Sequence, residues 1–233
     1  MKCRFLTTLL CLLFSLFSCK KTTNVALVDV ETTGALRCIF QDDDGRGIAG
    51  AKVYLYDNGS YAGLGDVYFN SLIDSVLTDQ QGIVYFQNLL PKSYLIRADS
   101  VPMNRLRYRT AEYMQAVAGV VKERVVKVSD FSGTLRIRLF SYYDYTMPLA
   151  NLSVVAYPSH IALQSDNLTD YINSTTLKGT TDAQGYVSIK VPSNITYNFV
   201  IYNPKNSNMG FGYGVYEIRK GEINDITLYS YPM

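Results

Sequence analysis

A recurring pentapeptide constrains this chain more than any other feature. Thr78-Asp79-Gln80-Gln81-Gly82 returns as Thr181-Asp182-Ala183-Gln184-Gly185, and Gly34-Ala35-Leu36-Arg37 returns as Gly133-Thr134-Leu135-Arg136. The matches keep their order along the chain. Solenoid units repeat every ~20–50 residues, whereas these copies lie about one hundred residues apart, the period of a duplicated domain. The repeats divide the sequence into a first unit, 34–130, and a second, 131–233.

Within each unit the hydrophobic period is two. Leu36, Cys38 and Phe40 alternate with polar or outward residues, as do Ala51, Val53 and Leu55; Val84 and Phe86, Tyr94, Ile96 and Ala98, and Val126 and Val128 follow. The second unit keeps the phase with Leu135, Ile137 and Leu139; Leu152, Val154 and Ala156; Val187, Ile189 and Val191; Tyr197, Phe199 and Ile201; and Ile226 and Leu228. Alternation rich in β-branched and aromatic residues predicts half-buried strands. About seven strands per unit of about one hundred residues suit a β-sandwich. The expected fold is all-β, two tandem seven-stranded sandwiches. No stretch of the mature chain shows a helical stripe; a helix competes with a strand only over 103–118, where Ala and Met weaken the β pattern.

The repeated pentapeptide reads as a turn. Asp79 and Asp182 are placed to cap their own turn backbone, and Gly82 and Gly185 to supply a positive φ. Asp42-Asp43-Asp44-Gly45 clusters carboxylates, but the twelfth residue from Asp42 is Val53, where a calcium loop of the EF-hand kind needs Glu. A polar turn is the reading there, and no metal is expected. The few residues between Val128 and Leu135 are not rich in Gly or Pro, which predicts a nearly rod-like pair with limited bending.

The N-terminus reads as a targeting segment. Lys2 and Arg4 precede an apolar run, 5–17, that is too short to span a bilayer. Leu16-Phe17-Ser18-Cys19 resembles the lipobox of bacterial lipoproteins. The resemblance implies a signal peptide over 1–18, a lipidated Cys19 and a short stalk to residue 33. It places the chain on the outer membrane by its lipid, with the periplasmic and cell-surface faces both open. Of four cysteines, Cys3 and Cys11 leave with the signal and Cys19 takes the lipid. Cys38 then has no disulfide partner and reads as a small buried hydrophobe. Basic residues number 22 and acidic 20, and loss of Lys2 and Arg4 balances them. Such a chain has no basic field for nucleic acid.

The first unit resembles the carboxypeptidase regulatory-like domain, a transthyretin-like, Ig-like sandwich related to the Cna protein B-type repeats. The residues that carry the likeness are Gly34, Asp42 to Gly45, Ile48-Ala49-Gly50-Ala51-Lys52-Val53, Thr78-Asp79, Gly82, Phe86, Leu89, Pro91 and Tyr94. Gly47 and Lys92 stand where the family usually has Pro and Gly. The second unit keeps Thr181-Asp182 and Gly185. Such domains are structural and binding modules and imply no peptidase activity. A lipobox followed by two such sandwiches resembles outer-membrane proteins of Bacteroidetes, among them accessory lipoproteins of nutrient-uptake systems and fimbrial subunits.

The sequence offers no catalytic constellation, and no enzyme, cofactor or metal is expected. The one histidine, His160, opens a polar loop with no patterned Ser or Cys beside it. Gly210-Phe211-Gly212-Tyr213-Gly214 lacks a phosphate-loop Lys and reads as a flexible approach to the penultimate strand. What remains are two insertions at equivalent places, 57–74 and 158–177. Long loops on a rigid scaffold are where binding concentrates. The first insertion carries Tyr61, Tyr68 and Phe69; the second carries Asn167, Asp170, Tyr171 and Asn173. A third candidate is Tyr142-Tyr143-Asp144-Tyr145, in a chain with 20 Tyr and no Trp. These rings either cover their own sandwich ends or meet a partner, protein or glycan. Ser75 and Ser100, each after Asp and before Val, match a short O-glycosylation acceptor pattern. The function expected is a non-enzymatic binding or scaffold module of an outer-membrane or surface assembly. The alternatives are a glycan-binding accessory lipoprotein and a fimbrial or adhesive subunit.

Overall fold

In the computed structural model, residues 32–57, 72–164, 166–205 and 209–232 are described, with 209 and 211–216 described by backbone alone. The expected signal segment, Cys19, most of the expected stalk, and Tyr61, Tyr68 and Phe69 lie outside the described residues.

Period-two patterning becomes fourteen strands among the described residues. In the first half they are β1 (Gly34–Gln41), β2 (Lys52–Asp57), β3 (Leu72–Leu77), β4 (Ile83–Leu89), β5 (Ser93–Met103), β6 (Leu106–Gln115) and β7 (Val121–Lys127). In the second they are β8 (Ser132–Ser141), β9 (Ser153–Pro158), β10 (Lys178–Thr180), β11 (Tyr186–Pro192), β12 (Ile195–Tyr202), β13 (Met209–Ile218) and β14 (Ile223–Ser230). The first half has sheets ordered β4-β1-β7 and β3-β2-β5-β6; the second repeats this as β11-β8-β14 and β10-β9-β12-β13. Pairing is antiparallel except between the first and last strands of each half, β1 with β7 and β8 with β14, which run parallel.

Each half encloses its own core. Leu36, Cys38, Phe40, Val53, Leu55, Val84, Phe86 and Ile96 are among the buried residues of the first, and Leu135, Ile137, Leu139, Val154, Ile189, Tyr197 and Phe199 of the second. Full burial of one such side chain stabilises by about 1.5–3 kcal/mol. Cys38 Sγ lies 3.3 Å from Met114 Sδ, and burial pushes its thiol up to about 12. Two core tyrosines donate their hydroxyls to nearby carbonyls, Tyr94 to Leu90 O at 3.0 Å and Tyr197 to Pro192 O at 2.8 Å.

The repeated pentapeptide builds the same turn in both halves. Asp79 Oδ1 accepts from the Gln81 and Ile83 amides at 2.9 and 2.8 Å; Asp182 Oδ1 accepts from Gln184 and Tyr186 at the same two distances. Gly82 and Gly185 sit at φ of 76° and 77°. A Cβ at Gly82 would fall 2.3 Å from Phe40 O, so that position requires glycine twice over. The leading threonine does as much as the aspartate. Thr78 Oγ1 accepts from the Ala51 amide and donates to Ile48 O, while Thr181 Oγ1 accepts from the Leu152 amide and donates to Leu149 O. Each threonine thereby ties the turn to the loop that enters the second strand.

Three local expectations need correction. Residues 103–118 hold no helix: they complete the β5–β6 hairpin, with Tyr108, Thr110 and Met114 buried at alternate positions. The glycines of 210–214 lie inside β13, where Gly210 and Gly212 pair opposite Ile201 and Phe199. Large side chains already fill the core there, so the partner strand carries small ones. A helix does form, α1 (Leu168–Ser174), within the second insertion. Its Leu168 and Ile172 pack on Val155, Tyr157 and Val200, the outer face of β9 and β12. Among the described residues no helix is long and apolar enough to cross a membrane.

The halves join through a single 3-10 turn, Val128–Asp130. Phe131, buried in the first core, accepts the Ser193 amide of the second half at 2.9 Å. The Lys220 ammonium sits 3.8 Å from the Phe131 ring centroid and 2.9 Å from Glu112 Oε1. Leu106 packs against both cores.

Candidate functional site

The two copies diverge most visibly at the turn after their first strand. In the first half the chain runs Asp42-Asp43-Asp44-Gly45 between bridge partners Gln41 and Gly47; in the second it runs Tyr142-Tyr143-Asp144-Tyr145 between Phe140 and Pro148. Each carboxylate of the first turn has its own partner. Asp42 caps the Asp44 and Arg46 amides, Asp43 accepts from Ser129 at 2.6 Å, and Asp44 pairs with Arg46. Among the described residues no three His, Cys, Asp or Glu side chains gather as metal ligands.

The second turn is organised by one carboxylate and presents rings. Asp144 Oδ1 accepts from the Thr146 amide and hydroxyl at 2.9 and 2.7 Å, which holds its carboxyl below the usual carboxylate range. The Ser141 amide donates to Met147 O, and the Tyr142 amide donates to Ser230 O at 2.8 Å. That last bond follows from the parallel pairing of β8 with β14, which sets Tyr229 opposite Phe140 and carries Tyr231 to the same turn.

Five tyrosines converge as a result, with exposures from 47% at Tyr229 to 77% at Tyr143. Tyr231 lies 5.2 Å from Tyr142 and 5.4 Å from Tyr143 between ring centroids; Tyr145 lies 5.1 Å from Tyr229 and 6.1 Å from Tyr142. The run continues onto the outer face of the β11-β8-β14 sheet. Tyr229 stacks on Phe140, and the Arg138 guanidinium sits 4.4 Å from the Phe140 centroid and 4.9 Å from that of Tyr186. Beside it Arg136 and Asp225 form a two-point ion pair, one bond measuring 2.6 Å, which holds the Asp225 carboxyl low. The first half repeats that pair as Arg37 with Glu123.

Neighbouring rings support one another edge to face, so each loses little freedom when a partner covers it. Exposed tyrosine with arginine is the composition that concentrates binding energy at protein interfaces. Solitary exposed rings are ordinary, whereas these five form one contiguous exposed group. Among the described residues of this surface no acid, base and nucleophile converge.

The other candidates fare differently. Tyr171 is not a free loop ring: it is half-buried in α1, edge-on to Tyr157, and donates its hydroxyl to Ala156 O at 3.3 Å. The second insertion thus covers the sheet as a third layer instead of leaving a long binding loop. Asn167 caps the Gln164 amide at the entry to α1. Ser75 and Ser100 are exposed on the β3-β2-β5-β6 sheet, Ser100 at the irregularity between Ala98 and Val101. His160 is exposed at the end of β9. Tyr229 and Tyr231 escaped the sequence reading, and their only signal was the dense tyrosine at the chain's end.

No family model matches the sequence, and no curated protein matches it. Among solved structures the chain is similar to the Bacillus anthracis TIE protein, with a TM-score of 0.37 and 19% identity, covering 85% of this chain and 34% of that one. It is similar to a streptococcal ancillary pilin at TM-score 0.35 and 15% identity, covering 87% and 63%. It is also similar to the shaft pilin SpaA of Lactobacillus rhamnosus GG at TM-score 0.30 and 13% identity, covering 87% and 98%. The chain therefore spans about a third of the TIE protein and less than two thirds of the ancillary pilin.

Proposed function

We propose that this chain is a non-enzymatic, lipid-anchored envelope protein that presents the tyrosine surface to a protein partner. In this reading Cys19 carries the lipid, and two domains of the carboxypeptidase regulatory-like kind, 34–130 and 131–233, project from an outer membrane of the Bacteroidetes type. The observation that carries the choice of partner is ring geometry. A sugar-stacking platform needs coplanar open faces. Here Tyr142–Tyr145, Tyr145–Tyr229 and Tyr143–Tyr231 meet at 77°, 84° and 61°, turning edges and hydroxyls outward as well as faces. That suits an irregular protein surface better than a flat pyranose.

A second reading, a fimbrial or adhesive subunit, draws on a different observation. Among the described residues β3 is an edge strand paired with β2 alone, and its Leu72, Ile73 and Leu77 are exposed. An edge of this kind accepts an added strand.

A photo-crosslinking amino acid placed at position 143 in cells, with position 75 on β3 as comparison, separates the readings. Capture of one protein at 143, abolished by Tyr231→Ala, supports the proposal. A ladder of self-conjugates from position 75 supports the fimbrial reading. Glycan-array hits lost in Tyr231→Ala, with no protein captured at 143, would replace both with the accessory glycan-binding role.

A further inference from the structure

A cleft of about 210 Å³ opens where the β5–β6 hairpin of the first half meets the second half. Its inner side is apolar. It includes Leu106, which packs against both cores, and the half-buried Ile161 and Ile195. Its outer side carries Arg105, Arg107 and His160. Among the described residues that line it, none is Asp, Glu or Cys. Arg107 reaches the Ser100 hydroxyl at 3.5 Å; among the described residues the Arg105 guanidinium and the His160 ring make no hydrogen bond or ion pair.

The backbone singles out Arg105. Asn104 and Arg105 form the two-residue turn of the hairpin at φ of 51° and 63°. Asparagine tolerates the left-handed region, and the second turn position favours glycine; a long side chain there is strained. Strain of this kind persists at ligand sites, where the side chain matters more than the comfort of the backbone. Arg109, on the same side of β6, donates to Asn194 O of the second half at 3.0 Å and so fixes the hairpin against the far wall.

Two guanidiniums and an imidazole over an apolar floor suit a small anion with an apolar body. A guanidinium fork matches a carboxylate with two parallel bonds. Ser174 and Thr175 bring the C-terminal end of α1 to the wall, and its carbonyls disfavour a phosphate dianion more than a single carboxylate. The volume is below the ~300–1,000 Å³ of drug-sized sites, which limits the apolar body to about one side chain. The geometry points to a binding site for a small carboxylate bearing an aromatic or branched group. The carboxylate lies on Arg105 and Arg107, and the body lies against Leu106 and Ile195. A free acid and the C-terminal residue of a peptide offer the same chemistry. This site is separate from the tyrosine surface, and its test uses none of those residues.

His160 is the single histidine of the chain, so its ring protons give one resolved magnetic-resonance signal at the mouth of the cleft. The probes are N-acetylphenylalanine, its amide, inorganic phosphate and a tripeptide ending in phenylalanine, each titrated into the intact protein. The free carboxylates should shift the His160 signal saturably, and the amide and phosphate should not. Tighter binding of the tripeptide identifies a peptide terminus as the source; equal or weaker binding identifies a free acid. Arg105→Gly should weaken binding about tenfold or more. Because glycine suits the turn, the same variant should melt higher than the parent, which separates loss of binding from loss of fold. The assignment is overturned if the amide shifts the signal as strongly, if phosphate competes, if no probe shifts it, or if Arg105→Gly binds as well as the parent.

Discussion

Replacing Thr181 by valine keeps the side chain's shape and removes one hydroxyl. That hydroxyl is 2% exposed as part of Thr181, accepts from the Leu152 amide at 3.0 Å and donates to Leu149 O at 2.8 Å. Valine leaves the Leu152 N–H without its acceptor, at a cost of about 1–3 kcal/mol, and weakens the Leu149 carbonyl by about 1 kcal/mol more. The added methyl returns about 1 kcal/mol through burial. The net loss is about 1–3 kcal/mol, or roughly 2–12 °C in melting midpoint for a chain of this size. Thr181→Ser is the decisive companion. It keeps both hydrogen bonds and loses only a methyl, so it should cost about 1 kcal/mol. Urea unfolding should therefore rank valine as the worse substitution although it is the more hydrophobic. The copy in the first half should behave alike, since Thr78 makes the same two bonds to Ala51 and Ile48. The double valine variant should add, because the sites lie in separate cores. Hydrogen exchange at the Leu152 amide should accelerate in Thr181→Val and stay unchanged in Thr78→Val. If serine costs more than valine, the threonines act by packing and their hydroxyls contribute little.

Other outcomes follow from the same geometry. Gly45→Ala, at φ 79° in open space, should cost about 1 kcal/mol by urea unfolding, whereas Gly82→Ala, whose Cβ would strike Phe40 O, should cost about 3 kcal/mol or prevent folding; equal costs would refute the close approach. Asp43, Asp144 and Asp225 all have carboxyls held low by hydrogen bonds from Ser129, Thr146 and Arg136. A depressed folded value stabilises above the ordinary carboxylate pKa of about 3.9 and is lost as pH falls through the folded value. Melting midpoints should therefore drop below about pH 4, and Asp225→Asn should flatten that drop; a midpoint that rises on acidification contradicts it. Ile172→Ala in α1 should cost about 2 kcal/mol and raise exchange in β9 and β12 amides, and no change in exchange would show that the helix is not seated on that sheet.

Strand phase was legible because burial on one face leaves a period of two in the sequence. Positions such as Leu36, Val53, Ile137 and Phe199 were readable as inward, and they are buried. The helix was missed because its signature lay elsewhere. Val154, Val155, Ala156 and Tyr157 run without alternation, the mark of a strand covered on both faces, and α1 is the second cover. The tyrosine surface was half legible. Tyr142, Tyr143 and Tyr145 are neighbours in sequence, but Tyr229 and Tyr231 reach them only through a parallel ladder that local patterning does not encode. The ion pairs Arg37–Glu123 and Arg136–Asp225 were hidden for the same reason, although the arginines belong to a repeated tetrapeptide. The cleft depends on how the hairpin tip at Leu106 meets the second half, and no period in a sequence reports that.

The parallel ladders also decide how these sandwiches respond to pulling. Tension along the chain enters a half at the start of β1 and leaves at the end of β7, and those strands are adjacent and parallel from Ala35–Val121 to Gln41–Lys127. The same holds for β8 and β14 from Thr134–Ile223 to Ser141–Ser230. Opposite forces on neighbouring parallel strands slide one along the other, so all the hydrogen bonds between them are strained at once. An antiparallel hairpin pulled at its open end parts one bond at a time. By joining first strand to last, each half turns a stretch of the whole chain into shear on its own seam.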